Sequence, residues 1–525
     1  MSAVPAGPLL IGSGALVLAV AALVLVSLRL TGHRLVYPLD DAYIHMAVAR
    51  NLAEHGVWGV TRHGFSSSTS SLLWPAMLAG SGALIGRGQA ALPLLLNLIG
   101  AVLCLAVASW ALSDRPARWR ALLLLGLVFL TPLPTLVLVG MEHTLHVCAA
   151  LLFLALVFRM LEGGRPPDAR GLALTAAVAT ALRYESFLLV AAAGLVLARE
   201  RRVRQAMTVD LAALVAPVAY ALVSLSQGWY LLPNSVLLKG ARFDPTTPAG
   251  LIDLLGGRSL SMLWHTPAVL VLVLICLGLR LLAPRQPAVS GVQAIFVLTV
   301  LLHMQFADTG WLYRYEAYLV ALGLLALGLS LPGGEGRPRA LHGAASLAAT
   351  VAMAAVVAYP LLERAVRALG ETPRASKNIF DQQYQMGVFL RQFYPGAAVV
   401  ANDIGAISYL ADVRLLDLYG LASMEVARAH RAGGLSRETV TRLASQHRAD
   451  VVLIYRSWFA QVLPRDWLEA GSWRAPEQAV VADRVVSFYA LDPAGRDRLV
   501  KSLRAFQKEM PHDVVVRLQA APDEP

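Results

Sequence analysis

Two adjacent carboxylates, Asp40 and Asp41, are the strongest chemical feature of the sequence. They lie in the stretch Leu39–His45, a few residues after a long apolar run. A charged pair at a membrane face is costly unless it is solvated, paired or used. In an outward aqueous pocket such groups can accept a proton or hold a cation. Tyr43 follows closely, and Asp41 and His45 have the i, i+4 spacing of one helix face.

The same pair also suits the start of a helix, without any chemistry. Asp is favoured at the N-cap position, and negative charge in the first turn interacts well with the helix dipole. The local pattern therefore leaves two alternatives open, a general base and a helix cap.

Further ionisable or polar residues recur at the turns between apolar runs. Cations beside carboxylates suit a substrate that carries a phosphate and is attacked by a deprotonated hydroxyl. Each residue alone could equally be an interfacial anchor or an interhelical ion pair, and a long cationic side chain could snorkel. Together with the acidic pair they fall in five separate loops on one side of the predicted membrane, which favours a shared outward pocket. These residues are Glu142, Arg183, Glu185, Asn234, Lys239 and Arg314.

Composition indicates what kind of chain positions these groups. Of 525 residues, 57% are hydrophobic and 15% charged, which excludes a soluble cytosolic globule and a disordered chain. Forty of the 79 charged residues lie within 363–525, so we expect a membrane part, 1–362, and a soluble part, 363–525. The net charge is +11, of which +9 lies in the membrane part, and this excess suits anionic lipid headgroups and orientation signals rather than nucleic acid. The three cysteines lie in apolar runs and form no disulfide or zinc pattern.

The membrane part is predicted to be polytopic and α-helical, with about eleven spans. Each crossing needs about 20 apolar residues. Five basic connectors all fall on the cytoplasmic side if the N-terminus is cytoplasmic. That agreement requires Ser70–Ile85 to be a juxtamembrane helix within a first extracytoplasmic loop, 30–89. The predicted spans are 9–29, 90–112, 121–139, 143–161, 171–183, 186–198, 209–226, 263–282, 291–306, 316–331 and 341–361.

Residues 363–525 alternate between helix and strand signals and predict an extracytoplasmic α/β domain. The predicted elements are helices at Tyr384–Phe393 and Ser436–His447 and buried strands at Ala397–Ala401, Arg414–Leu418 and Val451–Tyr455, with a turn at Asn402–Gly405.

Several short motifs occur in a consistent order along almost the whole chain. They are Asp-Asp-Ala-Tyr-Ile at 40–44, Gly-Met-Glu at 140–142, Arg-Tyr-Glu at 183–185, Leu-Pro-Asn at 232–234 with Lys239, Arg314, and Asn-Asp-Ile-Gly at 402–405. This order resembles the bacterial C-type glycosyltransferases, membrane enzymes that use a polyprenyl-phosphate sugar donor. Mycobacterial arabinofuranosyltransferases in that group carry a similar acidic pair. Where relatives commonly have Arg-Pro-Glu, this chain has Arg183-Tyr184-Glu185, which puts the donor sugar in question.

The resemblance implies an inverting sugar transfer from a polyprenyl phosphate to an extracytoplasmic glycan or glycolipid acceptor, in cell-envelope glycan assembly. It implies Asp40, alone or with Asp41, as the general base, with support from Tyr43 and His45. It assigns the lipid phosphate to Arg183, Lys239 and Arg314, and the sugar or those cations to Glu142, Glu185 and Asn234. No cofactor and no divalent metal are expected to be required, and membrane lipids are expected partners.

Two other functions are compatible with the composition. A transporter or flippase of lipid-linked sugars would use the intramembrane charges for coupling ions, but such proteins usually show an internal repeat, and none stands out. A membrane-anchored glycan-binding protein would use the C-terminal domain alone, which leaves the acidic pair unexplained.

Overall fold

A computed structural model describes residues 6–85, 90–163, 169–239, 247–282, 286–331 and 344–519. Within these ranges the chain is helical as far as Phe393, and strands occur only after it. The α-helices of the first part are Gly7–Leu30, Asp40–His55, Leu73–Ile85, Leu92–Ala111, Ala117–Leu130, Leu133–Val139, His143–Leu161, Ala169–Leu182, Ser186–Arg199, Val203–Ser226, Asn234–Lys239, Pro248–Ile252, Arg258–Trp264, Pro267–Leu282, Pro287–Phe306, Ala317–Ser330 and Ala344–Ile379.

The predicted apolar runs correspond to these helices, although their lengths vary, and residues 341–343 of the last run lie outside the described residues. Five are long and apolar enough to cross a membrane, and two pairs could each form one span bent by 42° or 106°. Three more are only 14 residues long, so the number of crossings is approximate. The five are Gly7–Leu30, Leu92–Ala111, His143–Leu161, Val203–Ser226 and Pro287–Phe306. The chain is a multi-pass membrane protein.

The first helix illustrates why these helices suit a bilayer. Leu16 and Leu23 pack inside the bundle, whereas Leu18 and Leu25 on the same helix are 73% and 59% exposed. A helix that is apolar on its exposed face as well as on its packed face is favoured in lipid and disfavoured in water. Leu73–Ile85, within the segment predicted to lie in the interface, has 13 residues and is too short to cross a hydrocarbon core of about 30 Å.

One continuous helix, Ala344–Ile379, connects the two parts of the chain. Its 36 residues include the predicted division at 362/363, so there is no loop at that position. Arg364 attaches this helix to the bundle. Its guanidinium lies 3.0 Å from the Glu316 carboxylate and donates to the Tyr313 carbonyl oxygen at 2.7 Å.

The C-terminal part is an α/β domain with a six-stranded mixed sheet. The strands are β1 Ala398–Ala401, β2 Arg414–Asp417, β3 Val451–Ile454, β4 Leu468–Arg474, β5 Val485–Ala490 and β6 Val515–Leu518, in the order β2-β1-β3-β5-β4-β6. The first three are parallel, and β5, β4 and β6 pair antiparallel. The helices of this part are Gln385–Phe393, Gly405–Leu410, Met424–Arg431, Arg437–His447, Arg456–Phe459 and Pro493–Phe506.

Both faces of this sheet are buried. Along β1, Val399 and Ala401 belong to one hydrophobic cluster, and Val400 between them belongs to another. Alternate side chains of a strand point to opposite faces, so helices must cover both sides. A strand buried on both faces is an uninterrupted apolar run, and this is why the sequence revealed β1.

Candidate active site

Asp40 and Asp41 occupy the first turn of the helix Asp40–His55. The N-cap position belongs to Leu39, which is extended, and no side chain caps the helix there. Gly56 ends the helix in the left-handed conformation that favours glycine, with φ of 68°. Asp40 therefore does not cap its own helix, and its carboxylate instead binds the first two amides of the helix Gly405–Leu410.

The Asp40 carboxylate binds the C-terminal domain. Its Oδ2 accepts from the Gly405 amide at 2.7 Å, and its Oδ1 accepts from the Ala406 amide at 2.8 Å. A Cβ atom on Gly405 would lie 2.0 Å from the Asp40 carbonyl oxygen, so only glycine permits this approach. The contact joins residues more than 360 positions apart and fixes the orientation of the carboxylate.

The surroundings of Asp40 favour its neutral form more than water does. Burial raises the pKa of Asp40 to about 7, and the negative charge of Asp403 contributes in the same direction. The two backbone amides lower the pKa, but by less. A carboxylate that titrates near neutral pH is well matched to general-base catalysis.

Asp41 has a different partner, a buried arginine. Its Oδ2 lies 2.5 Å from Nη2 of Arg314, a residue that is 2% exposed. The Arg314 guanidinium also lies 4.8 Å from the centre of the Tyr315 ring and donates to the Met141 sulfur at 3.0 Å. Arg314 therefore has one carboxylate partner among these contacts.

The loop before Arg314 has an unusual backbone. Trp311, Leu312 and Tyr313 have φ values of 47°, 60° and 62°, a conformation that disfavours side chains. Glu316 accepts from the Gly310 amide at 2.8 Å, and Arg364 holds the Tyr313 carbonyl oxygen. Strained residues that the surrounding structure holds in place are concentrated at functional sites.

Arg183 is more completely neutralised than Arg314. It donates to Glu142 at 2.7 Å and pairs with Glu185 through two nitrogens. The Tyr315 ring also contacts the Arg183 guanidinium, at 5.7 Å. Arg183 pairs with two carboxylates and Arg314 with one. Arg314 is therefore the less neutralised of the two cations and the better candidate to bind a phosphate.

Two cavities meet at this cluster. The first, of about 320 Å³, is lined mainly by the helical part, and the second, of about 470 Å³, lies between the helical part and the C-terminal domain. Asp40 lines the second, and Asp41 lines both. Ile44, Asp308, Tyr315 and Leu421 are also shared. Two ligands, one in each cavity, would therefore lie next to each other at the acidic pair.

The structure brings most of the predicted site residues together. Asp41, His45, Arg183, Glu185 and Arg314 all line the first cavity. Glu142 lies behind it, fully buried, with its carboxylate 3.7 Å from the His45 ring.

Tyr43 and Asn234 are not among the described residues that line the two cavities. The hydroxyl of Tyr43 accepts from the Tyr37 amide at 3.1 Å, and Asn234 donates to the Gly420 carbonyl oxygen at 2.8 Å. Both therefore have structural partners, and a direct contact of either with substrate stays a prediction. Lys239 ends a short helix, but its side chain lies outside the described residues.

Sequence reasoning missed the contribution of the C-terminal domain. Asn402, Asp403, Tyr419 and Trp458 of this domain line the second cavity. Asn402 and Asp403 directly follow β1, and ligands of open α/β sheets bind at the carboxyl ends of strands. The polar residues of Asn402–Gly405, directly after a buried strand, could have indicated a binding site. The local pattern alone predicts only a turn between two elements.

In the described part of the chain, no group of three His, Cys, Asp or Glu side chains could hold a metal ion. Transfer without a divalent metal stays a prediction.

We expect Gly405→Ala to destabilise the contact between the two parts of the protein. The added methyl group would meet backbone atoms that cannot move independently, and overpacking of this kind costs about 1–3 kcal/mol. The midpoint of thermal unfolding in detergent, followed by tryptophan fluorescence, should fall. Gly370→Ala is the matched control, because nothing lies within 4 Å of its added Cβ. Equal midpoints for the two variants would contradict the close approach.

The architecture is similar to that of two solved membrane enzymes. ArnT from Cupriavidus metallidurans, in its crystal structure bound to undecaprenyl phosphate, superposes with a TM-score of 0.53 at 15% identity. The match covers 92% of this chain and 99% of that one. The archaeal oligosaccharyltransferase AglB from Archaeoglobus fulgidus, in complex with an inhibitory peptide and a dolichol-phosphate, gives 0.50 at 11% identity, over 96% and 76%.

These likenesses establish the fold. The chain has the C-type glycosyltransferase fold with a C-terminal domain that contains a small sheet, which confirms the fold prediction from the sequence. Residues 377–489 match the model of a domain of unknown function, DUF8728. A comparison of the sequence with curated proteins found no match.

Proposed function

We propose that this chain is an inverting membrane glycosyltransferase that moves one sugar from a polyprenyl phosphate to a hydroxyl acceptor outside the cytoplasm. The observation that carries the proposal is the position of Asp40 and Asp41 at the meeting point of two cavities of different chemistry. Two neighbours of the same fold bind undecaprenyl phosphate and dolichol-phosphate, which supports a lipid-linked donor.

The first cavity suits the donor. Arg314 offers a guanidinium to a phosphate, and Phe187, Leu188 and Phe306 offer apolar walls to an isoprenoid chain. A planar guanidinium binds phosphate oxygens through two parallel hydrogen bonds, which is stronger than a contact with a neutral donor. Asp41 would hold Arg314 in position before the donor arrives.

The second cavity suits the acceptor, next to the general base. The acceptor hydroxyl oxygen forms a bond to the anomeric carbon, while the bond from that carbon to the phosphate oxygen breaks. The electron pair of that bond leaves with the polyprenyl phosphate, which gains a second negative charge beside Arg314. Asp40 accepts the hydroxyl proton. Attack opposite the departing phosphate inverts the configuration at the anomeric carbon.

The direct test is turnover by the purified protein in detergent. Synthetic polyprenyl phosphates that carry pentoses, including arabinofuranose, or hexoses would be offered with an extract of cell-envelope glycans and glycolipids. Mass spectrometry should detect free polyprenyl phosphate and a new glycosidic bond, with equal rates in EDTA. Passage of an intact lipid-linked sugar across vesicles without a new bond would support a flippase instead.

We expect the acidic-pair loop and the C-terminal domain to lie on the extracytoplasmic side, because the five basic connectors are predicted to lie on the cytoplasmic side. In intact cells an impermeant maleimide should label His63→Cys and Ser436→Cys, whose positions are exposed. Arg118→Cys, in a basic connector, should react only after the cells are opened. The unaltered protein is the control for the three native cysteines. Labelling of only one of the two outer positions would refute this topology.

A further inference from the structure

We propose that the C-terminal domain supplies half of a subsite for an uncharged glycan, so that the acceptor is a neutral carbohydrate chain. The proposal rests on the function proposed above and assigns the acceptor class to the second cavity. Four observations about that cavity support it: its volume, its charge, its exposed aromatic rings and its unpaired polar atoms.

The volume and boundaries of the cavity fit a bound sugar. Its 470 Å³ lie within the usual range of ligand pockets, about 300–1,000 Å³. The C-terminal domain forms one wall with Asn402, Asp403, Tyr419 and Trp458, and the membrane part forms the other with Asp40 and Trp311. A ligand that fills it would contact both parts of the protein at once.

The charge of the cavity selects against anionic acceptors. Four aspartates line it, Asp40, Asp41, Asp308 and Asp403, and its described lining includes no lysine, arginine or histidine. Asp41 and Asp308 are paired with Arg314 and Arg258, so the repulsion of a phosphorylated lipid headgroup or an acidic polysaccharide would come from Asp40 and Asp403. The cations of the site, Arg183 and Arg314, line the first cavity, so the negative substrate belongs on that side.

Aromatic rings in this cavity are only partly buried by the protein. Trp311 is 53% exposed and Trp458 is 44% exposed. Tyr419 lies beside Trp458, with ring centres 5.8 Å apart. Flat apolar rings with a polar edge suit the C–H face of a sugar ring, which is apolar, surrounded by hydroxyl groups. Each sugar that packs here would remove apolar surface from water.

Two buried amides in the cavity wall lack partners for one atom each. Asn402 is 6% exposed, and its Oδ1 accepts from the Tyr455 amide at 2.8 Å, which leaves Nδ2 with no partner among the described residues. Gln383 is 2% exposed, and its Nε2 donates to Asp403 at 2.7 Å, which leaves Oε1 with no partner there either. One free donor and one free acceptor match hydroxyl groups, which donate and accept together.

The test uses the full-length protein in detergent with Trp458→Ala. Because Trp458 is exposed, the variant should fold, and Trp458→Phe keeps an aromatic ring. We expect Trp458→Ala to raise KM for a neutral oligosaccharide acceptor about tenfold, the change expected for one aromatic contact. KM for the acceptor should increase, whereas KM for the donor should stay unchanged. Trp458→Phe should have a KM for the acceptor between those of the wild type and Trp458→Ala. Trp119→Ala, also a partly exposed tryptophan but remote from the cavity, is the matched control.

A binding measurement separates this proposal from the function on which it depends. Saturation-transfer NMR of the wild-type protein would be recorded with neutral oligosaccharides, with a phosphorylated glycolipid and with basic peptides. Signals from neutral oligosaccharides that weaken in Trp458→Ala support the subsite, even if no donor is consumed. Stronger binding of the phosphorylated glycolipid or of peptides, or an unchanged acceptor KM in Trp458→Ala, would overturn it.

Discussion

Asp40→Asn is expected to lower sugar transfer about 10²–10⁴-fold, the usual contribution of a general base. The substitution removes the charge that accepts the proton and keeps the shape of the side chain. Asn has a single acceptor oxygen, so one of the two bonds to the Gly405 and Ala406 amides is lost as well. Transfer from a synthetic donor should therefore be normalised to the monodisperse folded fraction.

The pH dependence distinguishes a base from a structural contact. Only the ionised carboxylate accepts a proton, so the pKa of about 7 predicts that wild-type transfer falls about tenfold per pH unit below neutral. The Asp40→Asn variant should have a flat profile over the same range. Gly405→Ala disturbs the same contact without removing the carboxylate and should keep the pH-dependent limb. Turnover of Asp40→Asn close to that of the wild type would remove the base assignment.

Arg314→Gln is expected to lower transfer about 10²–10³-fold, as the loss of one preorganised donor to developing charge does. The variant removes the proposed phosphate ligand and also leaves Asp41 without the arginine that lies 2.5 Å away. Both effects should weaken donor binding, so KM for the polyprenyl phosphate sugar should rise as kcat falls. Arg314→Lys keeps the charge but loses the planar fork, and it should recover only part of the activity.

Arg258→Gln is the matched control for Arg314→Gln. Arg258 pairs with Asp308, which lines both cavities, but the two side chains are 24% and 49% exposed. An ion pair that is open to solvent contributes little, so transfer should change by no more than a few fold. Equal losses in the two variants would mean that Arg314 acts only through the charge balance of the site.

Local patterns located most helices of the bundle and three of the six strands. Apolar runs of about 20 residues located the helices of the bundle, and the buried strands β1 to β3 were visible as short apolar stretches. Strands β4, β5 and β6 were not predicted. In β4, Leu468–Arg474 mixes charged, small and aromatic residues, so this segment is recognisable as a strand only through its partners β5 and β6.

The residues that form the site were predictable from the sequence, but the ion pairs between them were not. The acidic pair and the two arginines were identified from residue type and position in the chain. Spacing along the chain did not reveal that two carboxylates engage Arg183 whereas one engages Arg314. Asp40 and Gly405 are more than 360 residues apart in the sequence, and their contact depends on how the two parts of the protein pack. A local sequence pattern cannot predict such a contact.

The uninterrupted helix Ala344–Ile379 restricts insertions and deletions in this segment of the chain. Each residue inserted into an α-helix advances the chain by about 1.5 Å and rotates the C-terminal remainder of the chain by about 100°. One extra residue in this segment would therefore rotate the C-terminal domain away from Asp40. Four extra residues would nearly restore the rotation but would displace the domain by about 6 Å along the helix axis. A flexible linker would absorb such insertions. Homologues with the same acidic pair should therefore vary in length in their loops but keep a constant number of residues between Arg364 and the start of the domain's first strand.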